Sequence, residues 1–207
     1  AWSLNLLVAG MAFFAYKNGG FFDSKLAIPF ILASIPAALI GGYLRVNDDI
    51  YDTLLSITLV FAAWKLYTTK SRESEDLFSS PPPTHIALIV GAIIGLLSGI
   101  IGVGGGIFLS PIILLFGWSD PKTTAGVAAI FIWVNSAAGL IGSSISGQNV
   151  IELEVLIPFA LAVLIGGYIG SKFGSEKFSQ KTVRNTLVSV MLIAAIRQIL
   201  ELLGLWM

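Results

Sequence analysis

Eight residues in this chain combine a type and a spacing that can do chemistry. Gly102, Gly104, Gly105 and Gly106 interrupt an otherwise hydrocarbon-like stretch, GAIIGLLSGIIGVGGGIFLSPIILLFG, over residues 91–117, and Ser110 follows one helical turn later. Glycine in a helix interior costs roughly 1 kcal/mol relative to alanine, so a cluster this dense marks a break in the helix. Inside a bilayer such a break is tolerated only where it lines a cavity or is buried in protein. A break exposes amide N–H groups, and a helix restarting near Ile107 would aim the positive end of its dipole, about half a unit charge, at whatever lies there. Amides plus a helix N-terminus bind an anion without needing an arginine. The same glycines also suit a tight helix crossing, where they merely avoid a clash. A Walker or dinucleotide loop fits poorly, because no Gly-Lys-Ser/Thr follows and no βαβ context surrounds the run.

Polar side chains that could join such a site are few. Asn135 and Ser136 lie in the middle of the apolar segment after the break, and Asn5 lies at comparable depth near the start of the chain. Ser98, Ser110, Thr123 and Thr124 are further hydroxyls within apolar stretches. In membranes such groups also serve to hydrogen-bond a neighbouring helix. Lys65 and Arg197 sit near helix ends, where snorkelling to the interface accounts for them. Asp23, Glu152 and Glu154 fall at segment boundaries, positions suited to exposed loop carboxylates more than to a proton relay. His85, the single histidine, opens a segment and reads as an interfacial anchor, and the five tryptophans read as interfacial belts.

The elements that must position these residues follow from composition. With 56% hydrophobic and 12% charged residues and a mean hydropathy of +0.88, the chain is that of an integral membrane protein. Its formal charge is zero, 12 basic against 12 acidic residues, which gives no footprint for nucleic acid. The absence of cysteine excludes disulfides, thiolate catalysis and Cys-based metal sites. No His/Asp/Glu grouping at metal or triad spacing lies in the apolar segments, so neither an enzyme nor a cofactor is implied.

Apolar segments fall at 3–16, 25–45, 50–68, 85–102, 106–117, 123–145, 150–172 and 183–204. The fold expected is all-α, a polytopic transmembrane bundle containing a discontinuous Gly-rich helix hairpin. The stretch TKSRESEDLFSSPPPT, with its charges and triple proline, is a solvated linker at 69–84. It divides the chain into repeats at 1–68 and 85–207. A shift of 129 places Ala9-Gly10 on Ala138-Gly139, Asp23 on Glu152, and Ile28-Pro29-Phe30 on Ile157-Pro158-Phe159. After a short deletion Gly41-Gly42-Tyr43 superposes on Gly166-Gly167-Tyr168, and Ala62-Ala63-Trp64-Lys65 matches Ala194-Ala195-Ile196-Arg197.

Lys17 and Lys25 flank one loop, while its mate near 146–154 has no basic residue; Lys172, Lys177, Lys181 and Arg184 crowd another, whose mate has only Arg45. Basic residues favour the cytoplasmic side, so the bias predicts that the repeats are inverted. Counting 85–102 and 106–117 as two crossings gives the second repeat an odd number of spans, as inversion requires, although 106–117 is too short to cross alone and a re-entrant segment is the alternative. The first repeat has no Gly-rich break ahead of its matching part, and the chain opens on Ala1, which together suggest a processed or truncated N-terminus. Three four-residue stripes, Gly91/Gly95/Gly99, Ala33/Ala37/Gly41 and Ala162/Gly166/Gly170, predict close helix packing.

The run from Gly95 through Ser98-Gly99, Gly102 and Gly104-Gly105-Gly106 to Ser110-Pro111 resembles the signature of the TauE/SafE sulfite-exporter family of membrane permeases, in which a GxxGxGGGxxxxP segment opens each of two repeats. Residues 122–144 and 151–173 resemble the helices that follow, and 3–68 resemble the same helices of the first repeat. The first-repeat motif is absent, which leaves half of a two-fold site unaccounted for. The resemblance implies transport of small sulfur-containing or carboxylated anions such as sulfite, sulfonates or sulfoacetate.

The expectation is therefore a secondary-active permease in a bacterial or archaeal plasma membrane, moving a small anion by alternating access. Its partners would be that anion, lipid, and a second copy if a homo-oligomer completes the site. Its candidate site comprises Gly102, Gly104, Gly105, Gly106, Ser110, Asn135, Ser136 and Asn5. A non-transporting accessory subunit and a passive anion channel are the alternatives.

Overall fold

The computed structural model describes residues 2–44, 53, 81–147 and 153–202, and among these all regular structure is helical. The helices are α1 (Trp2–Asn18), α2 (Ser24–Tyr43), α3 (Thr84–Ile101), α4 (Gly106–Phe116), α5 (Pro121–Ile145), α6 (Leu153–Lys172) and α7 (Gln180–Leu202), with a π-helical turn at Phe173–Lys177 between the last two. Four stretches, Ser24–Tyr43, Thr84–Ile101, Pro121–Ile145 and Leu156–Lys177, are long and apolar enough to cross a membrane. The apolar segment expected at 50–68, with Lys65, and nearly all of the linker at 69–84 lie outside the described residues, as does Glu152.

Two aspartates start helices. Asp23 caps α2, its Oδ1 accepting from the amides of Lys25 (2.8 Å) and Leu26 (3.3 Å). Asp120 does the same for α5, accepting from Lys122 and Thr123 at 3.0 Å each, and Pro121 fits the first turn where no N–H partner is needed. Capping therefore gives Asp23 a structural duty. His85 is exposed in the first turn of α3, and Arg197 is exposed on α7.

Helices associate here through missing side chains. Hydrocarbon chains offer no hydrophobic drive for one helix to leave lipid for another, so close backbone approach must supply the attraction. A Cβ on Gly91, Gly95 or Gly99 of α3 would strike the carbonyls of Phe30, Ser34 or Ala38 of α2 in turn, so the two helices run parallel and interlock every four residues. The predicted α3 stripe is thus in use. On α2 the contact line is Phe30, Ser34 and Ala38 with Gly41 and Gly42, so Gly41 of the predicted Ala33/Ala37/Gly41 stripe is in contact while the line otherwise runs one position beyond Ala33 and Ala37. Helix α5 also runs parallel to α2, with Gly126 against the Phe21 carbonyl and Gly142 against that of Leu39. The third stripe differs from expectation. Ala162, Gly166 and Gly170 are exposed on α6, and a Cβ at either glycine would meet nothing within 4 Å.

Helix α1 runs opposite to α5, and the contact is reciprocal. The indole of Trp133 lies over Gly10, and the indole of Trp2 lies over Gly139, where a Cβ would come within 2.7 Å of Trp2 Nε1. Both tryptophans fill notches between helices, rather than forming the belt expected of them. Helix α6 runs parallel to α1, since Gly167 meets Val8 and Gly174 meets Tyr16. Helix α7 seats Met191 against Ile107 and Leu114 of α4.

These contacts gather the 17–25 turn, the start of α5 and the 173–180 turn at one end of the bundle. Lys122, only 8% exposed, ties them together: its Nζ donates to the Ser175 carbonyl at 3.0 Å and lies 4.5 Å from the centre of the Phe21 ring. Its backbone N–H also donates to Gln180 Oε1 at 2.8 Å.

Candidate functional site: a buried glycine break

Helix α3 stops at Gly102, whose N–H returns to the Ser98 carbonyl at 2.8 Å. The chain then reverses through Gly104 and Gly105 at φ of +79° and +78°, a left-handed conformation that L side chains adopt only at a cost of about 1–2 kcal/mol per residue. Helix α4 leaves the reversal antiparallel to α3. Its 11 residues span about 16 Å, half of a hydrocarbon core, so the segment at 106–117 is a half-length return, the re-entrant alternative to a full crossing. The reversal abuts Phe131, Ile132 and Ser136 near the middle of 25-residue α5, which places it at mid-depth.

Reversal and restart together leave donors without acceptors. No side chain caps α4. Among the described residues, none accepts from the amides of Gly104, Gly105, Gly106 or Ile107, while the Gly105 carbonyl already serves Phe108 and Leu109. These are the orphan N–H groups that every helix start possesses, here sealed away from water.

The surrounding side chains continue the pattern. Ser98, Asn135 and Ser136 are each 0% exposed. Ser98 Oγ, both polar atoms of the Asn135 amide, Ser136 Oγ and Trp2 Nε1 are buried without a hydrogen-bond partner. A Cβ on Gly104 would sit 2.9 Å from Ser136 Oγ, and one on Gly105 would sit 3.1 Å from Ser98 Cβ and 2.8 Å from the Phe131 ring. Asn135 lies one turn beyond Phe131 and so shares the face of α5 turned to the break. A Cβ on Gly102 would rest 3.7 Å from Trp2 Nε1, and Asn5 Nδ2 donates to the Gly102 carbonyl at 3.3 Å.

The bundle thus gathers the sequence candidates Gly102, Gly104, Gly105, Gly106, Asn135, Ser136 and Asn5 around one break. Ser110 stands apart, because its hydroxyl donates to the Gly106 carbonyl at 2.8 Å within α4. Thr124, buried and unpartnered, belongs to the other end of α5, about 16 Å from Asn135 along the axis. Trp2 was absent from the sequence-derived set. Its signal was an indole one turn before Asn5 in an apolar helix, which fits a belt equally well. Among the described residues no group of three or more His, Cys, Asp or Glu side chains could hold a metal.

A polytopic helical bundle with a broken hairpin at mid-depth is the architecture of an integral membrane protein, and comparison with known proteins gives the family. The family described as Sulfite exporter TauE/SafE matches residues 3–198, and the chain belongs to it. A probable membrane transporter protein of Sinorhizobium fredii is 33% identical over 200 residues, covering 95% of this chain and 80% of the relative. A probable membrane transporter protein of Methanocaldococcus jannaschii is 28% identical over 176 residues, 81% of this chain and 65% of that protein. No solved structure matches.

Proposed function

We propose that this chain is a secondary-active permease for a small anion, a sulfite, sulfonate or related carboxylate, working by alternating access in a bacterial or archaeal plasma membrane. The observation that carries the reading is the convergence of unpaired donors on the break. Four successive amides, two serine hydroxyls, an asparagine amide and an indole N–H surround it without acceptors of their own. A buried donor left unsatisfied costs about 1–3 kcal/mol, and an oxyanion would satisfy several at once. The donors are neutral, so binding stays modest enough for release.

The paired arrangement of helices supports alternating access. Gly10 and Gly139, matched by the internal repeat, each receive an indole from the other's helix. Helix α1 runs against α5, and α2 against α6, as mates in an inverted pair would. Two repeats of opposite sense, 1–68 and 85–207 about the linker 69–84, give a bundle two nearly equivalent ways to close around one site.

Counterflow in proteoliposomes with the full-length protein tests this. Saturable exchange of hydrogensulfite or acetate, lost in Gly105→Leu, is the expected result, with thiosulfate, sulfoacetate and taurine completing the panel. The leucine would have to hold a left-handed backbone against Phe131, Ile94 and Ser98. Flux that never saturates and cannot be driven uphill would instead identify a passive channel.

A further inference from the structure

The charges around the break set a limit on the solute. Every charged or titratable side chain on the four helices that form the break lies in a terminal turn. Lys17 is 12 residues from Asn5 on α1, His85 is 13 from Ser98 on α3, and Lys122 is 14 from Ser136 on α5. These offsets correspond to about 18, 20 and 21 Å along the helices. Helix α4 carries no charged side chain at all. Of the flanking helices, α2 has its lysine, Lys25, in the first turn; α6 has Glu154 in its first turn and Lys172 in its last; and α7 has Lys181 and Arg184 within its first two turns, Arg197 exposed, and Glu201 in its last turn. The ammonium of Lys122 is itself engaged with the Ser175 carbonyl and the Phe21 ring at the far end of the bundle.

Among the described residues, a bound anion would therefore meet neutral dipoles and the N-terminus of α4, equivalent to about half a positive charge. The cost of removing an ion from water grows as the square of its charge, whereas attraction to fixed dipoles grows in proportion to it. A second negative charge on the solute would raise the cost about fourfold and the attraction about twofold. Resting on the anion-site reading above, we propose that the break selects singly charged oxyanions and rejects dianions of the same shape. The ligands it suits are hydrogensulfite, monosulfonates and monocarboxylates. The partners it offers them are the four amides and the unpaired groups of Ser98, Asn135, Ser136 and Trp2.

Methanesulfonate and methylphosphonate provide the test, because they share a tetrahedral shape and differ in titration. The sulfonate holds one charge throughout, while the phosphonate passes from one charge in mildly acid buffer to two by about pH 9. Counterflow of each would be measured in proteoliposomes with the full-length protein at both pH values. Methanesulfonate exchange should be the same at both, and methylphosphonate exchange should fall at least about tenfold at the alkaline value. Asn5→Lys, which puts a cation beside the half-buried Gly102 carbonyl, should restore alkaline phosphonate exchange at least in part. Undiminished exchange of the phosphonate dianion, with methanesulfonate exchange intact, would overturn the charge limit and leave the anion site standing. Exchange of neither compound at either pH, by protein that remains monodisperse and folded, would overturn the anion-site reading itself.

Discussion

Ser136→Ala separates a binding site from a packing notch, because the two assign opposite signs to one hydroxyl. Ser136 Oγ is wholly buried, has no partner, and lies beside Gly104. An unsatisfied buried hydroxyl costs about 1–3 kcal/mol, so its removal should make the solute-free protein about 1 kcal/mol more stable. In the bound state the same hydroxyl would donate to a charged oxygen, an interaction of about 1.5–3 kcal/mol. Losing it should raise the half-saturation concentration about 10- to 150-fold.

Thermal unfolding in detergent, with and without solute, reads both effects on one sample. At a solute concentration about 100 times the wild-type dissociation constant, ligand stabilises the native protein by about 2.7 kcal/mol. A variant weakened about 30-fold would gain only about 0.9 kcal/mol under the same conditions. Ser136→Ala should thus unfold at a higher temperature than wild type without solute and show a much smaller upward shift with it. Counterflow should report the matching loss of affinity. A variant less stable than wild type, with unchanged half-saturation, would refute the reasoning and make Ser136 a packing residue.

Two further outcomes follow from the fold. Lys122→Met deletes the ammonium held by the Ser175 carbonyl and the Phe21 ring, and should lower stability by about 1–3 kcal/mol. Lys122 lies about 21 Å from Ser136 along α5, so half-saturation should stay within about twofold, and a larger change measured by counterflow would place Lys122 in the solute path. The chain has no cysteine, so single substitutions report sidedness cleanly: Asn18→Cys and Ser179→Cys should react with an impermeant maleimide from the cytoplasmic side, and Ser144→Cys from the other. Labelling of Asn18→Cys and Ser179→Cys from opposite sides would contradict the arrangement of the helix ends.

Much of this architecture was legible in the sequence because bilayers leave few options. Helical segments of hydrocarbon character, and a glycine cluster that only a break can accommodate, follow from the need to satisfy backbone groups internally. Asn135, Ser136 and Asn5 stood out as polar residues where polarity is costly. What escaped were features decided by pairs of distant residues. The contact line on α2 includes Phe30, because the glycines of α3 accept backbone carbonyls and do not require small side chains opposite. The stripe on α6 has the same small residues and no helix within reach among the described ones, since spacing specifies a notch but not its occupant. Trp2 reaches the break only because α1 packs antiparallel on α5, and Lys122 is buried only because three turns converge on it. The length of α4, by contrast, was legible, since the apolar run 106–117 is within one residue of the helix Gly106–Phe116.

The glycines alone would leave the break ambiguous, since a close crossing and a binding pocket both require them. The hydroxyls separate the two. At a crossing whose only demand is space, alanine at 98 and 136 would occupy less volume than serine and bring no polar atom into a dry interior. Serine stands at both positions, fully buried and unpaired, with a fully buried and unpaired asparagine beside Ser136. Ser110 shows that a hydroxyl in this bundle can be satisfied locally, since it donates to a carbonyl one turn back in its own helix. Ser34 and Ser171 likewise donate to carbonyls three residues behind them. The unpaired state of Ser98 and Ser136 is therefore not a general habit of serine in these helices. Among the described residues, both buried serines without a partner lie on the face where α3 and α5 meet the reversal, the place at which four amides also lack acceptors, while Thr124 at the other end of α5 is a lone unpaired hydroxyl with no such company. Donors gathered at mid-depth without acceptors of their own have the arrangement expected of a site whose acceptor arrives from outside.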